Sequence, residues 1–392
     1  MKKLIRVTTV PISLSKLLSG QLSNFKKYFE IIAVSSSGTI LNKVGSEAKV
    51  RTFSLNLTRA ITPLTDLISL IKFTFFLIKE KPLIVHSHTP KAGIVSMLAA
   101  YFARVPIRMH TIAGLPLMEL KGFKRKLLIF VEKVTYAVAT NVYPNSFGLK
   151  DYILKNKFCA ESKVKVIGSG SSNGIDTDYF SVGNMNSDVL KELKESHHIG
   201  KDTFVFCFVG RIVKDKGIHE LVSAFENIEQ KVFKSKLLLV GNYEQDLNPI
   251  DSEILNKIKA NENIVEVGYK EDVRPYLAVS NALVFPSYRE GFPNVVLQAG
   301  AMNLPAIVSN INGCNEIITH LENGLIVPLK EVAPLYESMI LLMKNPSLCN
   351  SLSLNSRERI KSKYERTHFW NLLLEEYKLL ENNVHNNKGF TR

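Results

Sequence analysis

Two stretches of the chain combine glycine, cations and carboxylates in a way that could do chemistry. The first is Val209-Gly210-Arg211-Ile212-Val213-Lys214-Asp215-Lys216-Gly217, which follows an apolar run and opens a helical pattern. Gly210 permits a tight turn. Arg211 and Lys216 then place two permanent cations beside a helix start, an arrangement suited to a diphosphate. A solvated surface loop would carry the same charges, but the position after a strand favours a binding role. The second is Pro286-Ser287-Tyr288-Arg289-Glu290-Gly291-Phe292-Pro293-Asn294-Val295-Val296-Leu297-Gln298-Ala299. Glu290 sits in a Gly/Pro loop, and the next helix is predicted from Asn294. The N–H groups of Asn294 and Val295 could therefore hold a phosphate or a sugar hydroxyl, with Gln298 one turn further on. A plain alternative for Glu290 is a charge that favours the helix dipole.

Two histidine-bearing segments in the first half also follow strand patterns and enter helices. They are Val85-His86-Ser87-His88-Thr89-Pro90-Lys91-Ala92-Gly93 and Met109-His110-Thr111-Ile112-Ala113-Gly114-Leu115-Pro116. A lone histidine at a strand end is more often structural than functional. Three other patterns are decoys. Gly168-Ser169-Gly170-Ser171-Ser172-Asn173-Gly174 nearly matches G-x-G-x-x-G, but its last glycine comes one residue late and no helix pattern follows. Asp176-Thr177-Asp178 matches a metal-holding D-x-D but lies in a linker, and His197-His198 has no partner at ligand spacing. No metal and no cofactor are expected.

The elements that must position these groups are legible as an alternation of strands and helices. In the first half the predicted strands are Leu4–Thr8, Ile31–Val34, Lys49–Phe53, Leu83–His86, Ile107–His110, Asn141–Tyr143 and Val164–Ile167. After a Gly/Ser/Asn-rich linker over 168–187, the pattern restarts with Phe204–Val209, Leu237–Val240, Ile264–Val267, Ala282–Phe285, Ala306–Val308 and Leu325–Val327. Strand–helix alternation argues for parallel, doubly wound sheets, so we expect an α/β protein of two Rossmann-like domains. They are assigned to residues 1–175 and 176–364, followed by a C-terminal segment, 365–392, that forms a helix, crosses back to the first domain and ends in a disordered tail from Glu381. Ligands should bind at the carboxyl ends of the strands, in a cleft between two domains that close over the substrates.

Composition narrows the partners. Of 392 residues, 45% are hydrophobic and 22% charged, which excludes a disordered or collagen-like chain. Cys159, Cys207, Cys314 and Cys349 are far apart and read as free thiols in a reducing compartment. Residues 1–185 carry 26 Lys and Arg against 10 Asp and Glu, a net +16, whereas residues 186–392 carry 24 against 26, a net −2. Such asymmetry suggests a polyanionic partner for the first half, an anionic membrane, a phosphorylated lipid or nucleic acid; a charge drift that keeps the protein soluble is the plain alternative. Nucleic acid is the weakest of these partners, since no recognised nucleic-acid-binding motif is present. No signal peptide is evident, and the most apolar stretch, Leu64–Ile78, contains Asp66 and Lys72 and reads as a helix on a sheet rather than a span. Lys121–Val131 mixes Lys121, Lys124, Arg125 and Lys126 with Phe123, Leu127, Leu128 and Phe130. It suits either a helix at an anionic membrane surface or a core helix with a solvated basic face.

Taken together, in order and spacing, these motifs resemble retaining glycosyltransferases of family 4, which have the GT-B fold. That family carries a G-R-x5-K-G type signature, matched by Gly210-Arg211 with Lys216-Gly217, and an E-x7-E motif, matched by Glu290 and, eight residues on, Gln298. Asn173-Gly174-Ile175-Asp176 with Phe180 resembles the family's N-G-V-D…F entry to the second domain. The resemblance covers nearly the whole chain and is nearest to bacterial enzymes of capsule, O-antigen or lipid-linked oligosaccharide assembly. It implies a metal-independent transferase that moves a sugar from a nucleotide-sugar, with UDP as the expected nucleotide, onto a polyprenyl-diphosphate-linked saccharide. Such an enzyme would be cytoplasmic and peripheral on the inner face of the plasma membrane. It implies catalytic roles for Arg211, Lys216, Glu290 and His110. The donor side becomes Gly20, Gly210, Arg211, Lys216, Glu290, Phe292, Pro293, Asn294, Val295 and Gln298, and the acceptor side His88 and Lys91. Gln298 departs from the family's glutamate, which binds the ribose hydroxyls, and so weakens that contact. It also leaves open a non-catalytic nucleotide-sugar-binding subunit. A nucleotide-sugar epimerase on the same scaffold is the other rival.

Overall fold

The computed structural model describes residues 1–115, 117, 120–228, 232–244 and 248–389, with side chains described to Asn386. The chain forms two compact units, Met1–Asn173 with Thr367–Arg392, and Gly174–Arg366.

Unit 1 runs β1 (Lys3–Val7), α1 (Pro11–Leu17), α2 (Gln21–Phe25), β2 (Glu30–Ser35), α3 (Thr39–Ala48), β3 (Arg51–Ser54), α4 (Pro63–Glu80), β4 (Ile84–Ser87), α5 (Pro90–Phe102), β5 (Ile107–Ile112), α6 (Gly122–Val138), β6 (Asn141–Pro144) and α7 (Phe147–Lys155). Its six strands are all parallel, in the order β3-β2-β1-β4-β5-β6. The inner strands are mostly apolar and buried because both faces of the sheet are covered, whereas the edge strand β3 is largely exposed. One face packs Phe73 and Leu77 of α4, Val95 and Ala99 of α5 and Tyr136 of α6. The other packs Leu14, Leu22 and Phe25 together with Phe369, Leu373 and Tyr377 from the far end of the chain.

Unit 2 runs α8 (Ser187–Ser196), β7 (Phe204–Val209), α9 (Ile218–Glu226), β8 (Ser235–Val240), α10 (Ser252–Ala260), β9 (Ile264–Gly268), α11 (Arg274–Ala278), β10 (Ala282–Phe285), α12 (Asn294–Ala301), β11 (Ala306–Ser309), α13 (Cys314–Ile317), β12 (Gly324–Val327), α14 (Val332–Lys344) and α15 (Pro346–Tyr364). The order β12-β11-β10-β7-β8-β9 is again all parallel. It repeats the topology of unit 1: the sheet winds outward in both directions from one central pair, β1/β4 in unit 1 and β7/β10 in unit 2. Beyond the carboxyl ends of such a pair the loops diverge and leave room for a ligand.

The structure alters three readings of the sequence. Val164–Ile167 is no strand: Val164 makes a single bridge to Val142 before the chain turns through Gly168 and Gly170. The division falls at Asn173/Gly174 and Arg366/Thr367, because Ile175 bonds the backbone of both Tyr364 and Arg366 (2.8 and 2.9 Å) and holds those residues to unit 2. Instead of a disordered tail from Glu381, helix α16 runs over Arg366–Gly389. Leu380 and Val384 continue its apolar row into the unit 1 core, and Glu381 pairs with Lys2. The last three residues lie outside the described residues.

Candidate functional site

The two constellations singled out in the sequence meet at the β7/β10 pair of unit 2. The loop after β7 ends at Gly217, whose φ of +70° is left-handed and whose Cβ, if it had one, would lie 2.1 Å from the Pro286 carbonyl oxygen. Only glycine lets the two loops approach this closely. Backbone and side-chain bonds fasten them: Tyr288 N–H donates to the Asp215 carbonyl (2.9 Å), and Arg289 Nη2 pairs with the Asp215 carboxylate (3.3 Å).

This approach places the Lys216 ammonium on the Glu290 carboxylate. The lysine also lies 5.5 Å from the centre of the Phe285 ring. Ser287 Oγ donates to the same Glu290 oxygen at 2.9 Å, and Asn312 Nδ2 donates to the Glu290 carbonyl at 2.6 Å. The side chains of Lys216 and Glu290 are only 14% and 16% exposed. The pair is thus held in a half-dry setting where its charges interact more strongly than in water. An incoming diphosphate would compete with Glu290 for Lys216.

Arg211 does not join them. It is exposed and pairs with Glu244 at 2.8 Å. Gly210 sits between β7 and Arg211 and donates its N–H to Val240 (3.0 Å). Phe292 and Pro293 are buried, Phe292 against the Tyr364 ring. Helix α12 then begins at Asn294 with Pro293 as its N-cap and no side-chain cap. Asn294 is exposed and Val295 and Gln298 are half-buried. The first turn of α12 therefore offers N–H groups to a ligand, with the Gln298 amide one turn along.

The candidates of unit 1 are interior. His110, on β5, is 2% exposed and shares a hydrogen with Ser87 Oγ (2.8 Å). A Cβ on Gly93 would come within 2.5 Å of its ring, so glycine in α5 makes room for this histidine. Burial pulls its pKa down to about 4. His88 is also 2% exposed; Nε2 accepts from Arg6 Nε (3.1 Å), and Nδ1 has no partner. Burial, then His86 and Arg6, lower its pKa well below the usual histidine value. Lys91 pairs with Asp66 (2.6 Å) and Thr62 (3.2 Å), tying α5 to α4. Gly20 caps α2 with φ +78°, and the next residue, Gln21, is fully buried. Pro116 lies outside the described residues.

Sequence reasoning missed the group that joins these residues. Arg6, fully buried on β1, donates to His88, to Tyr377 Oη (3.0 Å) and to Gln21 Oε1 (2.7 Å). His86 shares hydrogens with Tyr377 Oη and Thr111 Oγ1, both at 2.7 Å. Gln21 Nε2 reaches Asn173 Oδ1 (2.8 Å), which also accepts from Trp370 Nε1 (2.7 Å). The one signal was an arginine inside an apolar strand. Beside this network lies a pocket lined by His86, His88, Thr111, Tyr143, Ser171 and Ser172, with water-accessible volume of about 10 Å³, the size of a single water.

Among the described residues no group of three or more His, Cys, Asp or Glu could hold a metal ion. Asp176 is occupied: one carboxylate oxygen accepts from the Asp178 and Tyr179 N–H groups (3.1 and 2.8 Å) and the other pairs with Arg366. No described helix is long and apolar enough to cross a membrane.

With this geometry in place, the relatives are informative. Residues 190–359 match the glycosyl transferases group 1 family and residues 40–170 the glycosyl transferase 4-like domain. The chain is 35% identical over 378 residues to the capsular polysaccharide biosynthesis glycosyltransferase CapM of Staphylococcus aureus, covering 96% of this chain and 97% of that one. It is 28% identical over 317 residues, 79% of each chain, to the Escherichia coli UDP-Gal:alpha-D-GlcNAc-diphosphoundecaprenol alpha-1,3-galactosyltransferase. In fold it is similar to Anabaena Alr3699/HepE, solved in complex with UDP, with a TM-score of 0.79 and 16% identity over 96% of this chain and all of that one. The two parallel sheets are those of a GT-B enzyme, and the chain belongs to the group 1, family 4 glycosyltransferases.

Proposed function

We propose that this glycosyltransferase moves a sugar from a UDP-sugar, with retention of anomeric configuration and without a metal, onto a polyprenyl-diphosphate-linked saccharide in the assembly of a bacterial surface polysaccharide such as capsule. One observation carries the reading: Lys216 and Glu290 converge where the loops after β7 and β10 meet, next to the uncapped start of α12. In this reading the diphosphate of the donor takes Lys216 and is met by Arg211. Both cations stabilise the negative charge that grows as the diphosphate departs. Glu290, released from Lys216, turns to the donor sugar together with the Asn294 and Val295 amides. Gln298 hydrogen-bonds the ribose. The name of the E. coli relative supports the UDP donor and lipid-diphosphate acceptor, and the net +16 of residues 1–185 supports a site of action at the anionic inner face of the plasma membrane.

The test is nucleotide release from a panel of UDP- and GDP-sugars, with and without lipid extracted from bacterial membranes, with Arg211→Ala alongside. Lipid-dependent UDP release from one sugar, lost in the variant, is the expected result. Release without lipid and with a changed sugar as product would mean epimerisation. A UDP-induced thermal shift with no turnover on any sugar or lipid would mean a binding subunit.

A further inference from the structure

Helix α4 carries two apolar rows on opposite faces. Ser69, Phe73 and Leu77 face the sheet and are buried. Leu64, Leu67, Ile68, Ile71, Phe75 and Ile78 recur at helical spacing along the outer side and are between 49% and 80% exposed. That outer row extends over roughly 21 Å at 1.5 Å per residue. A soluble helix needs one apolar stripe to hold it to its core. A second stripe of this length is an exposed patch of the kind that marks an interaction surface.

The neighbouring helices continue it. Helices α4, α5 and α6 share the core on one side of the sheet. Helix α5 ends in Tyr101 and Phe102, both more than half exposed. The outer side of α6 presents Phe123, Lys126, Phe130 and Lys133 at helical spacing, with the phenylalanines 79% and 65% exposed. Lys72 and Lys79 flank the row on α4, and Lys121 and Lys124 stand at the start of α6. Among the described residues, the carboxylates of this face are accounted for. Asp66 pairs with Lys91, Glu80 pairs with Lys3 and Arg51, and Glu132 is 6% exposed with its pKa raised to about 7 by burial. Among the described residues, the three helices expose cations and apolar side chains and no unpaired carboxylate.

We infer that the α4–α5–α6 face docks on an anionic lipid bilayer, with α4 lying in the plane of the headgroups, its outer row inserted and the α6 lysines on lipid phosphates. This rests on the lipid-linked acceptor proposed above and names the surface that would bring the enzyme to it. Charge selects the occupant. A second copy joined by the same face across a two-fold axis would set these lysines against each other, whereas anionic headgroups neutralise them. The mixture of Phe and Lys on one helix face matches an interfacial helix, and α4 is not apolar enough to span.

The experiment is co-sedimentation of the whole protein with vesicles of phosphatidylcholine alone, or of phosphatidylcholine with phosphatidylglycerol, at low and high salt. The wild type should bind the anionic vesicles and bind them less as salt rises. Ile68→Glu combined with Phe75→Glu should lower the bound fraction about tenfold or more. Lys126→Gln combined with Lys133→Gln should weaken binding to anionic vesicles only. Each variant should keep the wild-type thermal shift with UDP, which reports the fold and the unit 2 site. Wild-type-like binding by Ile68→Glu/Phe75→Glu would overturn the inference, as would a wild type that ignores both vesicles. So would a lipid-free dimer that this variant converts to monomer. A wild type with no UDP shift would count against the proposed function instead, whatever the vesicles report.

Discussion

The two units share one topology but use its central strand pair in opposite ways. At β1/β4 the room beyond the strands is filled: Arg6, His86, His88, Gln21 and Tyr377 form a buried network closed by the returning helix α16. At β7/β10 the same room is left open and lined with charge. Lys216 and Glu290 are bonded to each other but reach solvent, and α12 starts without a side-chain cap. Arg6 donates only to neutral groups, so unit 1 holds an uncompensated cation in its interior, a costly arrangement that is stable only while every acceptor stays in place. Unit 2 pairs its cations with carboxylates that a ligand can displace. Substitutions in the first place should cost stability, and in the second activity.

The largest effect is expected at Lys216. Lys216→Met should reduce UDP release by about 10²–10³-fold, the range seen when one preorganised charge-stabilising group is removed, while urea unfolding changes little. If turnover stays within a few-fold of wild type, Lys216 serves the loop and not the diphosphate. The mirror experiment is Arg6→Met. It leaves His88, Tyr377 and Gln21 without their donor, and unfolding free energy should fall by about 2–4 kcal/mol. UDP should still bind with near-wild-type affinity, because the altered network lies wholly in unit 1. A urea midpoint equal to wild type would mean that the network holds α16 without Arg6.

The contrast was only partly legible in the sequence. Twelve strands were readable because short β-branched or apolar runs alternate with helical patterns. Val164–Ile167 has the same composition but lies where the chain leaves the sheet, and composition does not report pairing. Helix α16 beyond Glu381 was hidden by polar residues, although Leu380 and Val384 keep the helical spacing. The residues gathered at β7/β10 could be singled out because they cluster in two short loops after strands. That Lys216 sits on Glu290 was not legible, since the two are 74 residues apart and meet only because β7 and β10 are neighbours. The Arg6–Tyr377 bond, across 371 residues, was further out of reach. Strand-end histidines alone do not tell a filled strand end from an open one.

Acidity should weaken unit 1 through its buried histidines. Unfolded, His110 titrates near 6.5; folded, burial holds it at about 4. Between these values the unfolded chain binds a proton that the native chain refuses. Native stability is therefore full above about pH 6.5 and falls as pH drops toward 4, by about 1.4 kcal/mol per pH unit for each such histidine. His86 and His88 are depressed as well, chiefly by burial, and add to the fall. Urea midpoints measured from pH 7.5 to 5 should decline, and His110→Gln should remove its own share of the slope. A slope unchanged by His110→Gln would assign the decline elsewhere.

A smaller effect is expected at Gln298. Gln298→Glu supplies a charged acceptor for the ribose hydroxyls and should tighten UDP by up to about tenfold in calorimetry. Weaker UDP binding by the variant would instead show that the amide is suited to what it meets.

The smallest effect tests whether openness itself is what distinguishes unit 2. Arg211 is held by Glu244 at 2.8 Å, with the two side chains 47% and 34% exposed. An ion pair this exposed contributes about 0–1 kcal/mol, so Glu244→Gln should leave the urea midpoint almost unchanged. It should also free Arg211 for the diphosphate and tighten UDP by no more than a few-fold. Stability and affinity would then move independently, as they should where charges are kept available rather than built in. A loss of stability comparable to that of Arg6→Met would mean that the Arg211–Glu244 pair is structural. The difference between the units would then reduce to the Lys216–Glu290 pair alone.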